Sequence, residues 1–172
     1  MSEVAVHRIV LIRHAKAEPD QEPDHERPLA ERGRRDAPVT GRWLAVSGLA
    51  PGLAIVSTAL RARETWQLVD AQLHEHPRTV FEERAYGAGS DALVALLHET
   101  PDDVADLVLV GHNPGLHALA GTLAGESEEG LLPRMDSTGF PTSAVAVLTF
   151  TGPWTSVEPG TTRLAHFWTP HA

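Results

Sequence analysis

Short apolar runs alternating with longer helix-like stretches constrain the fold of this chain more than any other feature. Arg8-Ile9-Val10-Leu11-Ile12, Leu53-Ala54-Ile55-Val56, Arg78-Thr79-Val80-Phe81 and Asp106-Leu107-Val108-Leu109-Val110 read as strands. The last is the most apolar and is expected at the centre of a sheet covered on both faces. Leu29 to Ser47, Ala59 to His74 and a stretch from Ser90 or Asp91 to His98 read as helices. Gly33 and Pro38 predict a kink or a late start in the first of these. A fourth helix is expected from Asn113 as cap, with Pro114 at its first position, to the neighbourhood of Ala124. Gly125 to Thr142 reads as a loop. The chain then ends in Ser143 to Phe150, a turn at Thr151-Gly152-Pro153, and Arg163 to Trp168, both read as strands. This alternation predicts one α/β domain over residues 1–172 with a mainly parallel sheet. The missing helix between the last two strands predicts an antiparallel pair there.

In an open parallel sheet, ligands bind where the strands end at their carboxyl side. Three of the expected strands end in reactive or cationic residues. Arg13-His14 follows the first, Ser57-Thr58-Ala59-Leu60-Arg61 the second, and Gly111-His112-Asn113 the most apolar one. Arginine offers a rigid fork of donors that matches phosphate oxygens. A neutral histidine offers one nitrogen lone pair. Arg61 falls in the first turn of its helix, where free N–H groups and the dipole favour an anion and disfavour a cation unless it has other work. Taken singly, each residue also has a plain reading: a strand-end hydrogen bond, a solvated helix arginine, a histidine satisfied by a turn. Together they describe an anion pocket with an imidazole inside it.

Composition narrows the choice of anion. The chain carries 14 basic and 23 acidic residues, a net charge of −9, which disfavours a nucleic-acid or anionic-membrane partner. It has no cysteine, so disulfides, thiolate chemistry and cysteine-ligated zinc are excluded. The remaining histidines show no spacing that suits a metal, and no metal or cofactor is expected. The start, Met1-Ser2-Glu3-Val4, has no basic region leading into a long apolar stretch, so the expected location is the cytoplasm. The tryptophans Trp43, Trp66, Trp154 and Trp168 read as packing residues.

The combined motifs resemble a known family. Arg13-His14-Ala15 is similar to the Arg-His-Gly motif of the histidine phosphatase superfamily, with alanine in place of glycine. Ser57 through Thr65 resembles its Ser-x-x-x-Arg-Ala-x-x-Thr signature, Gly111-His112-Asn113 its Gly-His-Asn signature, and Arg27 through Gly33 a characteristic stretch before the first helix. The short length and the Ala15-Lys16-Ala17 continuation look most like the SixA-type phosphohistidine phosphatases. The resemblance implies a three-layer αβα sandwich of the phosphoglycerate mutase-like fold. It implies that His14 is the nucleophile, that Arg13 and Arg61 clamp the phosphoryl oxygens, and that a protonated His112 donates to them. Asn113 and Lys16 are further candidates for binding the phosphate. Many superfamily members place a carboxylic acid after the third strand to protonate the leaving group. Glu83 or Glu82 occupies that place, and a solvated glutamate is the alternative for each.

Three functions fit these residues. The first is a metal-independent phosphatase of phosphohistidine in a signalling or phosphorelay protein. The second is a phosphatase of small phosphomonoesters, which needs a working acid. The third is a non-catalytic phosphate-binding or phosphoprotein-binding module, which would not need a nucleophile. Short loops predict an open pocket that admits a side chain of another protein, and the expected assembly is a monomer.

Overall fold

A computed structural model describes residues 5–171. The N-terminal residues considered for targeting therefore lie outside the described part. The elements in chain order are β1 (Val6–Arg13), α1 (Glu31–Val46), β2 (Pro51–Ser57), α2 (Leu60–Asp70), β3 (Arg78–Glu82), α3 (Ser90–His98), β4 (Asp106–Gly111), α4 (Gly115–Leu123), β5 (Ala124–Ser127), α5 (Leu131–Thr138), β6 (Val145–Thr151) and β7 (Thr162–Trp168). All seven strands form one sheet in the order β3-β2-β4-β1-β6-β7-β5. β4 is parallel to both β1 and β2, β2 to β3, and β5 to β7, while β6 is antiparallel to its neighbours β1 and β7.

Strand periodicity explains the layers. Successive side chains point to opposite faces, and β1, β2 and β4 are apolar at nearly every position, so both faces need cover. Ile9, Leu11, Leu53, Ile55, Leu107 and Leu109 pack with α3 and α4 on one face. Val10, Ile12, Ala54, Val56, Val108 and Val110 pack with α1 and α2 on the other. The result is the expected αβα sandwich. No helix among the described residues is long and apolar enough to cross a membrane.

Several local readings change. The first helix begins late, at Glu31, and continues through Pro38. α2 stops at Asp70 rather than His74. α3 starts after Gly89, with no side-chain cap from Ser90 or Asp91. α4 starts at Gly115, so Pro114 holds the cap position and Asn113 precedes it. The stretch read as a loop contains β5 and α5. α5 forms because Met135 is buried in the core and Leu131 and Leu132 pack against it. Pro133 sits near its start, where a missing N–H costs little.

Register then builds the site. Arg13 pairs with Gly111 across β1 and β4, and Val56 with Val110 across β2 and β4. The three motif-bearing strand ends are level with one another at one edge of the sandwich. Gly33 seats the first turn of α1 against the segment after His14: a Cβ there would lie 2.1 Å from the Lys16 carbonyl oxygen.

Candidate active site

His14 follows directly on β1 and is 7% exposed. Its backbone N–H donates to the Gly111 carbonyl at 3.0 Å, and the Ser143 N–H donates to the carbonyls of Arg13 and His14. The next residue is held as well. The Ala15 N–H donates to Thr65 Oγ1 at 2.9 Å, and that hydroxyl donates to the Arg61 carbonyl at 2.7 Å. The His14 ring is oriented by its own neighbour: Nδ1 lies 2.7 Å from the Ala15 carbonyl oxygen. A carbonyl only accepts, so Nδ1 carries the proton and Nε2 carries the lone pair. Burial pushes the ring down from its ordinary 6.5 to about 3, opposed by the Ala15 bond and aided by His112, Arg61 and Arg13. The ring is neutral at neutral pH, with its lone pair available to an electrophile.

His112 lies beside it, with ring centroids 5.1 Å apart. Its Nε2 is 2.8 Å from Ser57 Oγ, while Nδ1 is buried without a hydrogen-bond partner. Burial first, and then the Arg61 charge, pushes it down from 6.5 to about 4, with Asp24 opposing. Burial among cations thus favours the neutral ring, and the protonated His112 that the resemblance implies calls for a neighbouring anion. A bound anion would favour the charged form.

Arg61 is buried at the start of α2. Its Nη1 donates to the Asp24 carbonyl at 2.9 Å and its Nη2 to Asp24 Oδ2 at 3.0 Å. Arg13 Nη1 donates to the Phe140 carbonyl at 3.2 Å. The Nε of each arginine is buried and unpartnered. Leaving a buried donor unmet is costly. Among the described residues four buried side-chain atoms lack a partner, the Nε of Arg13 and of Arg61, His112 Nδ1 and Ser143 Oγ, and all four residues are gathered around His14.

Asp24 was not singled out in the sequence. It lies in a short 3-10 turn, Asp24–Glu26, on the loop after His14. Besides Arg61, its carboxylate accepts from Tyr86 Oη at 2.6 Å and from Arg27 Nη2 at 3.1 Å. The Tyr86 bond, followed by those of Arg61 and Arg27, holds Asp24 well below the usual carboxylate range. Tyr86 in turn packs its ring on His112 and on His25. Sequence carried one hint of this hub, the acidic residue in a loop that also supplies Arg27, but nothing that tied it to Arg61.

The remaining expected site residues are Glu82, Glu83, Lys16 and Asn113. Glu82 accepts from the Arg84 backbone N–H and side chain, which lowers its pKa, opposite to what a general acid needs. It lies on the face of β3 that carries Val80, beside Leu96 of α3. Glu83 is exposed in the following 3-10 turn, and its carboxylate has no hydrogen-bond or ion-pair partner among the described residues. Lys16 is exposed, and its ammonium has no hydrogen-bond or ion-pair partner among the described residues. Asn113 directs both hydrogens of its amide to the carbonyls of Gly139 and Phe140, at 3.0 and 2.9 Å. It braces the loop that also receives Arg13, and so has no amide hydrogen left for an anion.

Comparison with known proteins agrees with this arrangement. The family model of the histidine phosphatase superfamily (branch 1) matches residues 9–138. The Mycobacterium tuberculosis protein Rv1276c is 40% identical over 161 residues, covering 92% of this chain and 99% of that one. A Nakamurella multipartitia structure described as a candidate SixA phosphohistidine phosphatase has a TM-score of 0.82 at 28% identity, covering 98% of each chain. The structure of the protein histidine phosphatase SixA complexed with tungstate has a TM-score of 0.73 at 25% identity, covering 95% of this chain and 97% of that one.

Proposed function

The chain belongs to the histidine phosphatase superfamily, and on that premise we propose that it hydrolyses phosphohistidine in a protein substrate through a phosphorylated His14. The observation that carries the reading is the gathering of Arg13, Arg61 and His112 around a buried, neutral His14 whose Nδ1 is engaged by the Ala15 carbonyl and whose Nε2 keeps its lone pair. Phosphoryl transfer depends on in-line positioning and on charge stabilisation at the equatorial oxygens, and these groups supply both. His14 Nε2 forms a bond to phosphorus as the bond from phosphorus to the substrate imidazole breaks, and the leaving nitrogen takes a proton from water. Water then attacks the phosphorus of phospho-His14, giving orthophosphate and restoring the ring. Tungstate, a tetrahedral oxyanion, occupies the related SixA protein.

The acid chemistry supports this substrate class. Asp24, the carboxyl group tied to Arg61, is held ionised by its donors, and Glu82 is engaged by Arg84. Neither suits protonation of an alkoxide, a step worth about 10²–10⁴ in rate. An imidazole leaves readily once protonated and needs less help. The test compares wild type with His14→Ala on a phosphohistidine protein, on p-nitrophenyl phosphate and on a simple alkyl phosphate. Wild type is expected to turn over the first two and to be at least about 10²-fold slower on the alkyl ester. Retained activity in His14→Ala would remove the nucleophile assignment. Equal turnover of the alkyl ester would remove phosphohistidine as the substrate class and favour small phosphomonoesters.

A further inference from the structure

The donor state of His112 depends on Ser57, through a count of protons. Ser57 is fully buried at the end of β2. Its Oγ lies 3.3 Å from the Ala59 backbone nitrogen and 2.8 Å from His112 Nε2. An amide N–H only donates, so Ala59 occupies one lone pair of the hydroxyl. The hydroxyl has one proton, and among the described residues its acceptor in reach is the His112 Nε2 lone pair. Donation in that direction leaves the neutral ring with its own proton on Nδ1. With Nε2 engaged, Nδ1 is the ring nitrogen left without a partner, buried beside His14 and the two arginines.

The reverse arrangement has two faults. A His112 Nε2–H directed at Ser57 would leave the serine proton buried without an acceptor. It would also turn a bare Nδ1 lone pair toward an incoming oxyanion, which repels it. We infer that Ser57 is a positioning residue that fixes His112 in the Nδ1–H tautomer, so that the neutral ring donates a hydrogen bond to the phosphoryl group beside His14. The identity of that oxyanion rests on the phosphatase reading above; the tautomer does not. The consequence is economy of charge: His112 serves as a donor at neutral pH without first having to be protonated. The low proton affinity of the buried ring agrees with this.

Nitrogen NMR of protein labelled with ¹⁵N-histidine tests it directly. In phosphate-free buffer near neutral pH, the His112 signals are identified by their loss in His112→Gln. Nδ1 is expected with a protonated-type shift and Nε2 with a bare-type shift, and the opposite pair would overturn the inference whatever the variants do. Ser57→Ala is expected to give mixed tautomers and to lower kcat/KM by about tenfold, the effect of one hydrogen bond. Weaker binding of inorganic phosphate should accompany the loss. Ser57→Thr, which keeps the hydroxyl, is expected to retain the wild-type tautomer. An unchanged His112 tautomer in Ser57→Ala would also overturn the inference. Failure to trap phosphate on His14 while the Nδ1–H tautomer stands would count against the phosphatase reading alone.

Discussion

Lowering the pH should destabilise this protein through His14 in a way that one variant isolates. Burial and the neighbouring His112, Arg61 and Arg13 hold the folded ring at about 3, in spite of its bond to the Ala15 carbonyl. In the unfolded chain the ring returns to about 6.5. Between these values the unfolded state binds more protons than the folded state. The associated stability is therefore complete above about pH 6.5 and is lost as the pH falls toward the folded value. At about 1.4 kcal/mol per pKa unit, moving from about pH 7 to about pH 4.5 costs roughly 2–3 kcal/mol at this ring. His14→Asn keeps a polar side chain and cannot titrate. Urea unfolding of both proteins at several pH values across this interval, in phosphate-free buffer, reads the difference. Wild type is expected to lose roughly 2–3 kcal/mol more than the variant. His112 titrates in both proteins and interacts with His14, so the two contributions do not add, and the gap falls toward the lower end of that range. Parallel pH dependences would show that His14 is not held neutral by burial, and the argument for its free lone pair would fail with them.

Glu82→Gln and Glu83→Gln are each expected to leave turnover of phosphohistidine and of p-nitrophenyl phosphate within about twofold, because Glu82 is tied to Arg84 and Glu83 faces solvent. A loss of about 10² or more in either variant would restore a carboxylic acid to the mechanism. Gly33→Ala places a Cβ 2.1 Å from the Lys16 carbonyl oxygen and should cost about 1–3 kcal/mol, as overpacking does. Thermal unfolding measures this, and an unchanged Tm would mean that α1 does not rest against the segment after His14.

The strands and their chemistry were legible because both are local. The runs ending in Arg13-His14, Ser57 and Gly111-His112 are apolar at both parities, which is enough to require a sheet covered on two faces. Parallel pairing then carries the three ends to one edge, since Arg13 aligns with Gly111 and Val56 with Val110. β5 and α5 escaped notice because each is short and takes its stability from partners distant in the chain, β7 for the one and the core around Met135 for the other. Glu82 is the register partner of Ser57 and so shares its face, and what keeps it from acting as an acid is the engagement of its carboxylate by Arg84, a contact that strand periodicity does not reveal.

What no reading of residues in order could supply was the distribution of protons and partners in the pocket. The carboxylate that holds Arg61 comes from Asp24, 37 residues earlier, and the tyrosine that holds Asp24 comes from 62 residues later. The neutrality of His14 and His112 depends on how far each ring is withdrawn from water and on which charges stand beside it. Periodicity and strand ends are properties of neighbours along the chain. Proton affinity is set by the field of everything packed around a group, and that field exists only once remote segments have closed over it.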